Sequence, residues 1–230
     1  MIRQEIALAC LAQVLFRNTV AVVHADPRAP MPPLRASERA ATTYMTSARA
    51  REFAAGRAAA RRAMRALGQI ERPVPRGTDR APIWPSGLTG AITHTRTDCL
   101  AAVTDDPSLA GLGLDLEPAT PLDPELLSEI CTPAELGWLD TVVPSRRAYL
   151  AKLVFCAKEA VFKAQYPISQ QMLDFHDVTV SLDPGGRNFD AQVHPRLRGF
   201  GTPVTIPGRV AIGSGNLIAA VEISGQHHHG

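Results

Sequence analysis

The chain has 230 residues, of which 45% are apolar and 20% charged. That composition excludes a collagen-like, low-complexity or wholly disordered chain, and the length is ample for a buried core. The net charge of +2 gives little support to nucleic acid or a membrane as the main partner, but it hides a division, since residues 1–100 hold 15 Arg and 7 acids while residues 101–170 hold 5 bases and 10 acids.

In chain order, the apolar stretch Ile6–Ala12 is flanked by Glu5, Gln13, Arg17 and Asn18, which argues against a signal peptide, and Val20–Val23 reads as a strand. Residues 26–34 are a Pro-rich connector. Ser37 with Glu38 marks a helix start, and a long Ala-rich helix follows from Ser47 to Leu67, with Phe53, Ala60, Met64 and Leu67 on one stripe and Gly68 as its stop. Arg61, Arg62 and Arg65 read as its solvated face. Pro73, Pro75, Gly77, Pro82, Pro85 and Gly87 make 71–90 a long loop. Strands are expected at 91–95, 99–104 and 110–117, and one or two short helices over 122–141, where Thr132, Pro133 and Glu135 form a capping box. A second long helix is expected over 147–165. Strands follow at about 177–182, 188–193, 203–211 and 216–223, separated by Gly-rich turns. Helices and antiparallel-type strands in both halves point to an α+β fold with two subdomains.

Cys10, Cys99, Cys131 and Cys156 show no CxxC spacing and read as reduced thiols of a cytoplasmic protein. No apolar run reaches the roughly 18 residues of a membrane span. His227, His228 and His229 read as part of a tail or tag remnant, residues 226–230.

Two segments carry chemistry. In Gly111-Leu112-Gly113-Leu114-Asp115-Leu116-Glu117-Pro118, strand alternation sends the leucines one way and Gly111, Gly113, Asp115 and Glu117 the other. Two carboxylates on one face need a cation, and hard Mg²⁺ with oxygen ligands suits them. The glycines would let a bulky ligand lie against the backbone. The plainer reading is a solvated strand face. In Phe155-Cys156-Ala157-Lys158-Glu159-Ala160-Val161-Phe162-Lys163-Ala164, Glu159 and Lys163 are four apart on a helix. The plainer reading is a surface ion pair, but a helix this apolar is largely buried, so its few charges would line a cleft.

The two segments together resemble the paired signature G-x-D-x-E and [FW]-[SC]-x-K-E-[AS]-x-x-K of the 4′-phosphopantetheinyl transferase superfamily. Arg49-Ala50-Arg51-Glu52-Phe53-Ala54-Ala55-Gly56-Arg57, the loop from Arg76 through Arg80 to Trp84-Pro85, and Ile92-Thr93-His94-Thr95 resemble its enterobactin-synthase-like branch, so that the likeness covers roughly residues 37–180. The resemblance implies two similar α/β subdomains in a pseudo-twofold arrangement, here 1–116 and 117–225, with the active site between them in a single chain acting as a monomer. It implies coenzyme A as substrate and transfer of its phosphopantetheine arm to a serine of an apo acyl or peptidyl carrier protein, with release of adenosine 3′,5′-bisphosphate.

By the same resemblance Asp115, Glu117 and Glu159 would hold Mg²⁺ or Mn²⁺, and Glu159 would also act as general base toward the serine. Lys163 and Lys158 would lie near phosphate oxygens and His94 at a coenzyme A phosphate. Arg49, Arg57 and Arg76 would grip the 3′-phosphate end, since a guanidinium fork suits phosphate, with Arg80 ranked below them. Met172 stands where relatives often carry an aromatic. Arg35 and Arg39 make a basic rim that would steer an acidic carrier. Two other readings compete: a catalytically inactive module that binds coenzyme A or a nucleotide, and a metal-dependent phosphohydrolase that needs no carrier.

Overall fold

The structure is a computed structural model that describes residues 2–225, with side chains from Ala7 onward. The expected tail, 226–230 with its three histidines, lies outside the described residues. In order, the chain forms α1 (Ile2–Gln13), β1 (Val20–Ala25), α2 (Ala36–Arg39), α3 (Ser47–Ala66), β2 (Thr89–His94), β3 (Cys99–Thr104), β4 (Leu109–Pro118), α4 (Leu127–Ile130), α5 (Pro133–Leu139), α6 (Pro144–Ser169), β5 (Val178–Leu182), β6 (Asn188–Val193), β7 (Val204–Gly213) and β8 (Asn216–Ser224).

The strands make two antiparallel sheets, β1-β3-β2 and β4-β8-β7-β6-β5. The expected α+β class is what the chain adopts. α3 lies across the first sheet and α6 across the second. Alanine suits α3 twice: it is the best helix former, and its small side chain lets the helix sit close to the sheet, with Ala55, Ala59, Ala60 and Ala63 buried together with Met64. Thr46 caps the start of α3 by accepting the Arg49 N–H, and Gly68 closes it at φ +75°. α6 runs further than expected at both ends. Pro144 opens it at N1, and Pro167 sits inside its last turn before Gln170 ends it in the left-handed region at φ 55°.

With α4 and the β5–β6 hairpin set aside, the order strand, short helix, long helix, strand, strand occurs twice, as β1-α2-α3-β2-β3 and as β4-α5-α6-β7-β8, with the last strand central to each trio. The sheets are nonetheless unequal, because the β5–β6 hairpin extends the second. The expected boundary at 116/117 falls inside β4, whose register with β8 runs from Leu109 to Pro118, so the division between the sheets lies in the 105–108 turn. α1 contributes Leu8 and Ala12 and the turn after it Leu15 and Phe16 to a core shared with Leu100, Leu112, Leu114, Leu116 and Ile218. Leu8 and Ala12 of that apolar stretch are thus packed into the fold.

Two buried carboxylates tie the short helices to the long ones. Glu38, 0% exposed, accepts the Arg35 N–H at 2.8 Å, the Val74 N–H at 2.9 Å and the Arg61 guanidinium at 2.8 Å. Glu135 accepts the Thr132 N–H at 2.7 Å, the Val180 N–H at 2.6 Å and the Lys158 ammonium at 2.8 Å. Arg61, 3% exposed, is thus a core ion-pair partner rather than part of a solvated face, and Arg62 beside it donates to the His24 carbonyl. Arg65 keeps the exposed position expected of it.

Candidate functional site

The site begins with the way β4 and α6 lie on each other. Two strand residues advance about 6.7 Å and four helix residues about 6 Å, so the two repeats keep nearly in step. Gly111 meets Ala164, Gly113 meets Ala160, Asp115 interacts with Cys156, and Glu117 meets Lys152. A Cβ on Gly111 or Gly113 would overlap the carbonyl oxygen of Ala164 or Ala160. The glycines therefore admit the helix backbone, and the expectation that they clear space for a ligand is corrected. The alternation itself holds, with the three leucines in the core and the two carboxylates toward α6.

Asp115 is 4% exposed. Its Oδ1 accepts Lys163 Nζ at 2.6 Å and Thr93 Oγ1 at 3.1 Å, while its Oδ2 is buried with no hydrogen-bond partner. Thr93 also accepts the Leu116 N–H at 3.1 Å, so one hydroxyl joins the edge strand β2 to the edge strand β4. Glu117 pairs with Lys152, which lies 4.9 Å from the centre of the Phe155 ring. Burial raises the Glu159 pKa; Lys163 opposes this, and Asp115 and Glu117 add to it. Burial would lower Lys163, but Asp115, through charge and hydrogen bond, together with Glu159 raises it overall. Glu159 borders a cleft of about 540 Å³ with Phe162, Met172, Leu173 and Phe175, and Met172 is 72% exposed there.

Asp115, Glu117 and Glu159 thus stand within mutual electrostatic reach, yet among the described residues no three His, Cys, Asp or Glu side chains converge as a ready metal cage. A burial this complete normally leaves no carboxylate oxygen unsatisfied. The bare Oδ2 of Asp115 and the carboxylate of Glu159 are oxygen donors of the kind a hard divalent cation takes.

The first half supplies the opposite charge. His94, at the end of β2, touches Arg49 and lies 3.4 Å from Glu52. Burial and the Arg49 charge lower its pKa, and it senses Lys163 and Asp115 across the junction of the sheets. Arg49, Arg57, Arg76 and Arg80 line one pocket of about 240 Å³ with Met45 and Phe53. Arg57 donates Nε to the Val74 carbonyl at 2.9 Å, lies 3.9 Å over the Phe53 ring, and is lowered to about 10 by burial. Arg80, ranked below the others on sequence, shares this pocket with them.

Lys158 is not with them. It is 3% exposed, and its ammonium donates to the Ile130 carbonyl, Glu135 and the Phe175 carbonyl, all at 2.8 Å. With all three protons committed it has none for a phosphate, so its expected role at a phosphate is corrected to a structural one. Thr93, Glu52 and Lys152 went unassigned in the sequence. Only Lys152 left a usable signal there, since it precedes Lys163 by three helical turns and shares its face.

The comparisons with known proteins follow the same division. Residues 37–104 match the 4′-phosphopantetheinyl transferase N-terminal domain, and residues 111–198 match the 4′-phosphopantetheinyl transferase superfamily. The chain is 35% identical over 185 residues to the 4′-phosphopantetheinyl transferase Svp of Streptomyces mobaraensis, covering 76% of this chain and 73% of that protein. It is 32% identical over 183 residues to the 4′-phosphopantetheinyl transferase Npt of Nocardia iowensis, covering 75% and 82%. Enterobactin synthase component D of Escherichia coli is 38% identical over 115 residues, 49% of this chain and 53% of that protein.

Proposed function

Because the chain belongs to the 4′-phosphopantetheinyl transferase superfamily and is an enzyme of that class, we propose that it moves the phosphopantetheine arm of coenzyme A onto a serine of an apo acyl or peptidyl carrier protein and releases adenosine 3′,5′-bisphosphate. Mg²⁺, with Mn²⁺ as a substitute, is the cation of this reading. The observation that carries it is that, at the junction of the sheets, His94 of the first half, in contact with Arg49, stands within electrostatic reach of Lys163 and of Asp115, whose Oδ2 is unpartnered, in the second half. The recurring element order supports two subdomains related by a pseudo-twofold axis, with the proposed active site at the junction of their sheets. One chain then supplies both sides and acts as a monomer. No helix among the described residues is long and apolar enough to cross a membrane, which is compatible with the proposed cytoplasmic setting.

In this reading Arg49, Arg57 and Arg76, with Arg80, hold the 3′-phosphate, and His94 donates to a coenzyme A phosphate. Asp115, Glu117 and Glu159 would hold the cation, which supplies neutralisation of charge on the pyrophosphate oxygens. Glu159 takes the proton from the carrier serine, whose Oγ forms the new bond to phosphorus as the bridging P–O bond to the bisphosphate breaks. Lys163, held charged by Asp115, stabilises the negative charge that gathers on the transferred phosphate. The cleft beside Glu159, with Phe162, Met172 and Phe175, receives the apolar length of the arm or a carrier helix.

The test is mass spectrometry of apo carrier proteins incubated with coenzyme A, Mg²⁺ and the enzyme. The expected gain is about 340 Da, the mass of the transferred arm, with a loss of about 10²- to 10⁴-fold in rate for Glu159→Gln. Binding of coenzyme A without any mass gain on a panel of carriers would support the inactive module instead, and bisphosphate release without a carrier would support the phosphohydrolase.

A further inference from the structure

Residues 75–83 form a finger whose shape is set internally. Gly77 N donates to the Ala81 carbonyl at 2.8 Å, Arg80 N to the Gly77 carbonyl at 3.0 Å, and Ile83 N to the Pro75 carbonyl at 2.9 Å, while Arg76 and Pro82 face each other as a bridge. Arg80 sits in the left-handed region at φ 71°, a conformation a non-glycine residue keeps only where its surroundings hold it. Asp79 is part of that hold, since its Oδ1 accepts the Ala81 N–H at 3.0 Å. None of these bonds says where the finger points relative to the catalytic helix.

The other oxygen of Asp79 answers that. Its Oδ2 accepts the Tyr166 hydroxyl at 2.9 Å, and Tyr166 belongs to α6, in the opposite half of the molecule. Tyr166 follows Lys163 by three residues, so it lies on the same side of the helix. Its ring is braced by Phe162, with centroids 5.4 Å apart. A single carboxylate therefore closes the turn that carries Arg76 and Arg80 and ties that turn to the helix that carries Glu159 and Lys163.

We propose that Tyr166, through Asp79, is a positioning residue that sets the distance between the four-arginine pocket and the catalytic helix, and so matches the enzyme to a substrate bearing both a pyrophosphate and a distal 3′-phosphate. The inference rests on the reading of that pocket as the 3′-phosphate grip. The contact is exposed, so it acts as a reversible latch rather than as a structural tie. It is already formed at 2.9 Å, and its loss is felt only by a substrate that reaches both ends.

The experiment compares coenzyme A with 3′-dephospho-coenzyme A in steady-state transfer to one carrier. Tyr166→Phe removes only the hydroxyl. It is expected to raise KM for coenzyme A about two- to tenfold, the effect of one hydrogen bond of ordinary net strength, with kcat nearly unchanged. KM for 3′-dephospho-coenzyme A should not move. Asp79→Asn, which retains an oxygen for Ala81 and presents an amide to the phenol oxygen, should keep most of the discrimination. Arg76→Ala is the control for the pocket and should erase the difference between the two substrates. If Arg76→Ala erases it while Tyr166→Phe affects both substrates alike or neither, the positioning role is overturned and the pocket stands. If Arg76→Ala leaves the difference intact, the pocket assignment fails and the inference falls with it.

Discussion

Glu38 and Glu135 perform the same task in the two halves of the molecule. Each is the third residue of a short capped helix, each is buried, and each takes the N–H of its own cap and an N–H from a distant segment. Each also takes a cation from the long helix 23 residues later, Arg61 in one case and Lys158 in the other. The residue after each cation is where the halves part. Arg62 bonds to the His24 carbonyl, whereas Glu159 is half-buried near Lys163 and the carboxylates of β4. The frame is shared and the chemistry is not.

If the two staples are equivalent, Glu38→Ala and Glu135→Ala should each lower the unfolding free energy by about 3–5 kcal/mol, because each leaves a buried cation without its partner. Urea denaturation of the two variants is the check, and a loss confined to one half would break the equivalence. The next largest contrast concerns how closely each long helix approaches its sheet. Gly113→Ala forces a methyl into the backbone oxygen of Ala160, whereas the methyl of Gly56→Ala meets a side-chain carbon of Ile92 at 2.8 Å. A side chain gives way more readily than backbone, so Gly113→Ala should cost about 3 kcal/mol, at the upper end of overpacking, and Gly56→Ala visibly less. Equal losses would mean that α3 and α6 are equally rigid on their sheets.

A smaller effect is expected where the halves meet. Thr93→Val keeps the shape but leaves the Leu116 N–H and one Asp115 contact unmade, a loss of about 1–2 kcal/mol by the same denaturation assay. An unchanged midpoint would show that the sheets do not depend on this clasp. The smallest effect is the pH dependence contributed by His94. Burial and Arg49 hold its folded pKa below the ordinary value of 6.5, so as pH falls through 6.5 the unfolded chain takes up the proton first and stability declines toward the folded pKa. His94→Asn should flatten that part of the stability profile, from 6.5 downward. A profile identical to that of the parent would mean that His94 is solvated in the folded state.

Much of this was legible in residues alone. The Ala-rich run ended by Gly68 and the capping box at Thr132 and Glu135 are local signals, and local backbone physics decides them. The alternation in Gly111–Glu117 foretold which side chains enter the core, and the spacing of Glu159 and Lys163 put both on one helix face. The misreadings share a cause. Arg61 and Lys158 looked like available cations because nothing nearby in the chain pairs with them, and each is bound by a glutamate brought in from a separate short helix. Gly111 and Gly113 looked like room for a ligand because the occupant, the backbone of α6, lies some 50 residues away in the chain.

Most of the elements and the two chemical segments were thus written in the residues themselves, since periodicity, caps and motif spacing are all properties of short stretches, and the resemblance of those segments to a known family implied the class of reaction. Which charges are spent on the frame and which remain for chemistry was settled by the folded arrangement alone. Whether a buried cation is free depends on partners that the fold delivers from far along the chain, and the cost of leaving such a charge unpaired is what fixes those partners in place.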